Sequence, residues 1–320
     1  MTDKTNDETR TELVGETEGR AFHDILVPLD GSALAESVLP TVVEFARHFG
    51  TNVTLLHVIE RTAPQSIHGE HHLADEVSAT RYLEGLSGKL EGEGIKTSFH
   101  VHPNKERDVA ASIAGHAQEL ASDLIVVATH GSGGLRDLVI GSIAEQVIGR
   151  GMAPVLLLRP GTPPPGEPFT VRRMVVPLDG SADSERALPI ARAIGRAWDA
   201  EAILVRVVPT RADLSNERSA IAVMLPGATR AVLEIEEAVA ADYLAETCRH
   251  LGDLATTQAR TLRGDPTAMV LRTVETCGAD FVVMATHGRS GLGAFWADSV
   301  GHRLAERVAV PLLIDATARR

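Results

Sequence analysis

The 320-residue sequence lacks several features that would assign a chain to a functional class at once. No apolar run approaches the roughly 18 residues that a membrane span needs. There is no phosphate-binding GxxxxGK[ST] loop, no Cys-x-x-Cys pair and no Gly-x-Ser-x-Gly nucleophile elbow. No pair of carboxylates stands out as a general acid and base, so the motifs predict no catalytic residue.

Positive charge and cysteine are both scarce. The 43 acidic residues outnumber 31 basic ones and give a net charge of −12, which argues against a nucleic acid or a membrane surface as partner. The two cysteines, Cys248 and Cys277, suggest a reducing compartment and are predicted to pack as small apolar side chains, with a redox pair as the alternative. Residues 1–21 are polar and acidic and lack the apolar core of a secretory signal, so we predict a disordered tail and a cytoplasmic protein.

The chain contains one unit written twice. The stretch ILVPLDGSALAESVLP at 25–40 aligns without gaps with MVVPLDGSADSERALP at 174–189. A repeat of this length is a duplicated domain rather than a solenoid. We therefore predict a first domain over 22–160, a Pro/Gly-rich linker over 161–170 and a second domain over 171–316.

Each copy alternates strand-like and helix-like stretches. In the first copy the predicted strands are DILVPLD, NVTLLHVI, KTSFHVH, DLIVVAT and PVLLLR. Continuous apolar strands between helices indicate a parallel sheet covered on both faces. The predicted fold class is therefore α/β, with two tandem open doubly wound five-stranded sheets of the Rossmann-like type. Ligands of such sheets bind at the carboxyl ends of the strands.

Local signals predict two helix starts. The stretch SALAESVLPTVVEFARHFG at 32–50 is interpreted as one helix with Ser32 as its N-cap and Gly50 at its end. Ser142-Ile-Ala-Glu145 fits a capping box, with Ser142 as the cap.

The loop before Ser142 is rich in glycine, at Gly131, Gly133, Gly134 and Gly141. Glycines there let a ligand approach the backbone. The helix start that follows offers unpaired N–H groups and partial positive charge, which suit a phosphate. Judged by spacing alone, a tight turn with a simple helix cap is an equal alternative.

Together, the stretches VPLDGS, HVI, ATHGSGGLRDLVIGSIAEQVI and APVLLL resemble the universal stress protein family. The resemblance covers about 22–160 and 171–315. ATP-binding members of that family carry G-2x-G-9x-G-[ST], which the first copy matches from Gly131 to Gly141 and Ser142, with Ala128 in place of the leading glycine. The resemblance implies an adenine nucleotide alpha hydrolase-like sheet and bound ATP, with or without magnesium.

The resemblance also implies roles for individual residues. Asp30 would accept hydrogen bonds from ribose hydroxyls, and Pro28 and Val58 would line the adenine pocket. The full nucleotide-binding set that it implies is Pro28, Leu29, Asp30, Val58, Val127, Ala128, His130, Gly131, Gly141, Ser142 and Ile143. Without the resemblance, Val58 and Val127 are core strand residues, Asp30 is a turn acid and His130 is a polar loop residue.

Some residues depart from the family pattern. Asp298 of the second copy stands where Gly141 stands, in a loop that also holds Phe295 and Trp296, and its carboxylate would repel phosphates. A plain N-cap is the alternative for Asp298. The first copy has HVHPNKERDV where the family often shows V-x-x-G-x-P, which the second keeps in TLRGDPTAMV. The group of His68, His71 and His72 is predicted to be a solvated loop, not a metal site.

These observations predict an ATP-binding sensor or regulator of the stress response, with nucleotide bound mainly in the first domain. A slow ATPase using the same cleft and an interaction protein with empty clefts are the alternatives. Adenine nucleotide is the expected partner. The apolar last strands, APVLLLR and VPLLIDA, predict that the two domains pair within one chain as a pseudo-dimer, and a homodimer of the whole chain is left open.

Overall fold

The structure is a computed structural model of the chain. It describes residues 22–60, 66–67, 70–71, 73, 75–106, 108–131, 138–139, 141–164, 166–214, 220–221, 223–252, 254, 256–286 and 299–317. The predicted tail, Gly133, Gly134, and the second copy's His287, Phe295, Trp296 and Asp298 lie outside these residues. The described residues form two compact units, one of 22–170 with 280–317 and the other of 171–279.

The helices and strands alternate along both copies. Those of the first copy are β1 (Asp24–Pro28), α1 (Ala33–Glu36), α2 (Leu39–Phe49), β2 (Asn52–Glu60), β3 (Ser66–Ile67), β4 (Glu70–His71), α3 (Glu76–Gly92), β5 (Thr97–Glu106), α4 (Val109–Glu119), β6 (Leu124–Ala128), β7 (His130–Gly131), β8 (Leu138–Val139), α5 (Ser142–Arg150) and β9 (Val155–Leu158). Those of the second copy are β10 (Arg173–Pro177), α6 (Ala187–Trp198), β11 (Glu201–Val208), α7 (Pro226–His250), β12 (Thr257–Arg263), α8 (Pro266–Cys277), β13 (Phe281–Ala285), α9 (Val300–Arg307) and β14 (Leu312–Asp315), with short 3₁₀ turns at Ser184–Arg186 and Arg211–Asp213.

In the unit of 22–170 and 280–317, the strand order is β13-β14-β9-β6-β1-β2-β5. Strand β1 pairs in parallel with β2 and with β6. The residues at its centre, Ile25, Leu26 and Val27, are almost completely buried, as expected of a strand with helices over both faces. In the unit of 171–279 the order is β12-β11-β10, again parallel. The first copy contributes β1, β2, β5, β6 and β9 to these strands, and the second contributes β10 to β14. The predicted α/β class is therefore confirmed.

The last strands of the two copies pair with each other. Strand β14 runs antiparallel to β9, with Leu313 opposite Leu156 and Ile314 opposite Val155. All of these side chains are buried. This pairing lies within one compact unit. The docking of the two domains as a pseudo-dimer and the limits of those domains stay predictions.

The predicted helix over 32–50 is wrong in one respect, because the structure divides it into α1 and α2. Ser32 does cap α1, where its Oγ accepts a hydrogen bond from the Ala35 N–H at 3.1 Å, and Gly50 ends α2 with φ 63°. The break precedes Pro40, which occupies the first turn of α2. Proline has no N–H and its ring clashes with the preceding turn, so it is tolerated there but not inside a longer helix.

Both cysteines are free thiols, and burial raises the pKa of Cys248. A raised thiol pKa lowers the thiolate fraction, so it makes this cysteine less reactive. None of the helices within the described ranges combines the length and apolar character needed to cross a bilayer.

The end of α5 supplies a test of how closely β14 lies to the first copy. Gly151 ends α5 with φ +59°, and a Cβ added there would lie 2.5 Å from the Ala316 backbone oxygen. Gly278 ends α8 with the same φ, but a Cβ there would meet nothing within 4 Å. We expect Gly278→Ala to cost about 1 kcal/mol of stability from the left-handed backbone alone.

Gly151→Ala should cost clearly more than Gly278→Ala, because the backbone near Ala316 must also shift. Urea unfolding of both variants, compared with the unsubstituted chain, gives the difference from the transition midpoints. Equal shifts would show that Ala316 does not hold its position against α5.

Candidate functional site

A cavity lies where the carboxyl ends of β1, β2 and β6 meet the start of α5. Its volume is about 220 Å³. It is lined by Pro28, Leu29, Asp30, Ser32, Leu34, Ala35, Leu56, Val58, Glu60, Val109, Ile113, Val127, Ala128, Gly141, Ser142, Ile143 and Ala144. Nine of the eleven residues of the predicted nucleotide-binding set belong to this lining, from Pro28 to Ile143.

Most of the cavity wall is apolar. Val58 and Val127 come from β2 and β6, the two strands that flank β1, and are buried, at 6% and 8% exposure. Helix α4 covers them from one side with Val109 and Ile113. The predicted set did not include these two helix residues, because only the packing of α4 over the sheet brings them to the strand ends. Such walls suit a flat apolar group with few polar atoms.

Asp30 follows β1 in a tight turn. Its Oδ1 accepts hydrogen bonds from the Ser32 N–H at 2.9 Å and from the Ser32 hydroxyl at 2.6 Å. The ladder between β1 and β2 continues up to this turn, since the Leu29 N–H donates to the Leu56 oxygen at 2.8 Å. One carboxylate oxygen therefore fixes the turn, which leaves Oδ2 to accept from a ligand.

A buried imidazole contacts the backbone just before the same turn. His57, at 1% exposure, has Nδ1 2.8 Å from the Leu29 oxygen and Nε2 3.0 Å from the Leu73 oxygen. Carbonyl oxygens only accept, so each contact is a hydrogen bond when the facing ring nitrogen carries a proton. His57 thus connects the segment before Asp30 with the segment around Leu73.

The N-terminus of α5 forms the polar end of the cavity. Gly141 is its N-cap with φ −59° and ψ 139°, and as a glycine it makes no side-chain cap hydrogen bond. The predicted capping box at Ser142 is therefore wrong. Ser142 is already the first helical residue, and Glu145 instead contacts His302 Nε2 at 3.1 Å. The N–H groups of the first turn have no helical partner and can meet an anion.

The φ of Gly141 is one that any residue adopts. An aspartate at this position, like Asp298 in the second copy, is therefore not excluded by the backbone. The effect of such an aspartate on phosphate binding is its charge and its side-chain volume.

The cavity has an electrostatic gradient. Two carboxylates, Asp30 and Glu60, lie on the strand side, and the helix N-terminus with its partial positive charge lies on the other. The described lining residues include no lysine or arginine. An anionic group is therefore favoured beside α5 and disfavoured beside the two carboxylates.

The other two predicted residues belong to a short strand that follows β6. His130 and Gly131 form β7, which pairs with β8 at Val139 and Leu138. The glycine loop that separates β7 from β8 falls outside the described residues, so its predicted wrapping around phosphates stays a prediction.

In the second copy the turn after β10 repeats the first one but is supported differently. Asp179 Oδ1 accepts from the Ser181 N–H at 2.8 Å, as Asp30 does from Ser32. Arg206 occupies the position in the repeat that is equivalent to His57. Its guanidinium lies 5.0 Å from the centroid of the Tyr243 ring. A Cβ on Gly180 would lie 2.8 Å from that guanidinium, so a cation occupies the space beside this turn.

A second group of polar side chains escaped the sequence analysis. His100 and His102 on β5 lie beside His116 on α4, with His102 Nδ1 3.0 Å from His116 Nε2. Burial, and to a lesser degree His100 and His102, lower the pKa of His116. The H-x-H pattern within HVHPNKERDV was the available signal, since residues two apart share a strand face.

Comparison with known proteins agrees with this architecture. The universal stress protein family model matches residues 21–159 and again 170–315. Universal stress protein YxiE of Bacillus subtilis is 27% identical over 150 residues, which cover 43% of this chain and 99% of that protein. Universal stress protein Sll1654 of Synechocystis is 30% identical over 139 residues, which cover 43% and 85%.

A solved universal stress protein structure from Archaeoglobus fulgidus superposes with a TM-score of 0.64. The match covers 93% of this chain and 98% of that one, at 18% identity, and it shows the shared fold. Because the family model matches both copies and thereby most of the sequence, the chain belongs to the universal stress protein family.

Proposed function

We propose that the chain binds ATP in the cavity of the first copy and acts as a nucleotide-dependent sensor or regulator. The observation that supports this most is the meeting of an apolar slot, a turn carboxylate and an unpaired helix N-terminus in one cavity. These three features match the base, the sugar and the phosphates of a nucleotide in their chemistry. The expected cytoplasmic location is part of this proposal.

The electrostatic gradient gives the ligand one orientation. The base enters between Val58 and Val127, and the ribose hydroxyls donate to Asp30 Oδ2. The phosphates then lie against the first-turn N–H groups of α5, away from Asp30 and Glu60. The reverse orientation brings like charges together, which at about 4 Å and an effective dielectric near 20 costs about 4 kcal/mol per pair.

A bound magnesium ion fits this proposal. Among the described lining residues, the groups at the start of α5 are backbone N–H groups and the Ser142 hydroxyl, which carry no full positive charge and neutralise only part of a triphosphate's charge. Magnesium binds largely through substrate phosphates and water, so it needs no dedicated protein cage. We expect ATP to bind more tightly with magnesium present than with a chelator.

Binding is favoured over turnover. Hydrolysis of ATP needs a group that orients or activates water next to the terminal phosphate. The described acids that line the cavity, Asp30 and Glu60, come from the ends of β1 and β2 and not from α5, where the phosphates are proposed to lie. Many turnovers per chain with magnesium ATP would establish the slow ATPase, and purified chain that neither carries nor binds nucleotide would favour an interaction protein with empty clefts.

The first test is calorimetric titration of the purified chain with magnesium ATP. We expect one equivalent per chain, and Gly141→Asp should abolish binding because it adds a carboxylate beside the phosphates. Gly149→Asp is the matched control: it adds the same charge to the same helix, at an exposed position where an added Cβ meets nothing within 4 Å. Two equal sites, or equal binding by both variants, would contradict the proposal.

The second test separates the hydroxyl of Ser142 from the backbone. The Ser142 side chain is exposed at the first position of α5, and Ser142→Ala removes one hydroxyl while keeping every N–H group. A hydrogen bond of this kind contributes about 0.5–1.5 kcal/mol, so we expect ATP to bind roughly 2- to 10-fold more weakly. Complete loss of binding by Ser142→Ala would show that the hydroxyl, and not the helix N-terminus, dominates.

A further inference from the structure

Three histidines form a cluster that lies outside the cavity lining. His100 and His102 share one face of β5, and His116 lies on α4. One ring nitrogen from each of them lies within 4.8 Å of the other two. We propose that this histidine cluster, His100, His102 and His116, binds a divalent transition metal ion, for which zinc is the probe, because imidazole is a preferred zinc ligand.

The spacing is close to that of a tetrahedral site. Two imidazole nitrogens bound to one zinc at about 2.0–2.1 Å lie about 3.3 Å apart. His102 Nδ1 and His116 Nε2 are 3.0 Å apart, so the pair needs only a small opening to admit the ion. The His100 ring centroid is 4.7 Å from that of His116. His100 is exposed, so its ring can turn to complete the set, and water can fill the fourth position.

The outer partner of His116 suits a metal ligand. Its second ring nitrogen, Nδ1, lies 3.3 Å from a Glu119 carboxylate oxygen. Histidines that bind metals usually donate their other N–H to such an acceptor, which fixes the tautomer. With the proton held on Nδ1 toward Glu119, the lone pair of Nε2 faces His102 and the ion.

The second copy lacks these ligands. In the β2–β5 ladder His100 and His102 pair with Leu56 and Val58, and in the β11–β12 ladder the corresponding partners of Val205 and Val207 are Arg260 and Leu262. Helices α4 and α8 both follow an aspartate N-cap, Asp108 and Asp265, and counting from these caps sets Thr273 against His116. The cluster is therefore specific to the first copy and is not inherited from the repeat.

The ion would hold the sheet edge to a helix. Strand β5 ends the strand order of its unit, and His102 and His116 lie on β5 and α4. Val58 pairs with His102 across the ladder, and Ile113 precedes His116 by one turn; both line the cavity. None of the three histidines is part of that lining, so the ion supports the cavity wall without touching a ligand in it.

The experiment is a calorimetric titration of the full chain with zinc, after a chelator has removed bound metal and has itself been removed. We expect one equivalent of zinc and a higher unfolding midpoint with zinc present. Cobalt in place of zinc should show the strong visible absorption of a tetrahedral site. Loss of a residue that only hydrogen-bonds to a metal ligand weakens metal binding by roughly 10- to 100-fold. Glu119→Ala should therefore weaken zinc binding by about tenfold, and His116→Ala, which removes a ligand, by more than about 100-fold.

Exposed His100→Ala is the variant that leaves the fold intact, and it should also remove stoichiometric binding. His250→Ala is the matched control, since His250 is a helical histidine with Glu246 3.9 Å away and no second histidine in a cluster among the described residues. The chain with His68, His71 and His72 all changed to alanine should bind zinc as before. The proposal is overturned if the chain binds no zinc, if His100→Ala and His116→Ala bind it normally, or if the triple variant loses it.

Discussion

The parallel pairing of β1 with both β2 and β6 is the constraint on which the cavity depends. Val27 lies opposite Leu55, and Leu26 lies opposite Ile125. Parallel strands end at the same edge of a sheet. Asp30, Val58 and Val127, which are far apart in the sequence, therefore meet at one edge. Strand β1 contributes mostly buried apolar side chains. Its role is to hold β2 and β6 in register, so that the residues at their carboxyl ends lie around one cavity.

Much of this arrangement could be predicted from the sequence. Continuous apolar strands such as LIVVA are typical of a strand that is buried on both faces, and the ligand position follows from the parallel topology. The break before Pro40 was also predictable, since the proline rule was available and only the helical periodicity of the neighbouring residues argued against it. These features depend on residues that are close in the sequence.

The features that could not be predicted depend on distant residues. Ser142 and Glu145 have the spacing of a capping box, but Glu145 contacts His302, which lies 157 positions further along the chain. The histidine cluster needs the rotation of α4 about its axis and the pairing of β5 with β2. The ladder places His102 opposite Val58, but only the packing of α4 against the sheet places His116 beside His102.

The two copies show why a binding site has to be argued for each domain separately. Asp30 and Asp179 bond to their turns in the same way, so duplication preserved the backbone. In the first copy the buried ring of His57 supports this turn through two carbonyl oxygens. In the second copy Arg206 stacks on Tyr243 and brings a positive charge beside the turn. An imidazole enclosed beneath the turn leaves the strand ends open, whereas a guanidinium beside it changes both their volume and their charge. A shared strand-and-turn backbone is therefore compatible with a nucleotide cavity in one copy and a different use of the same position in the other.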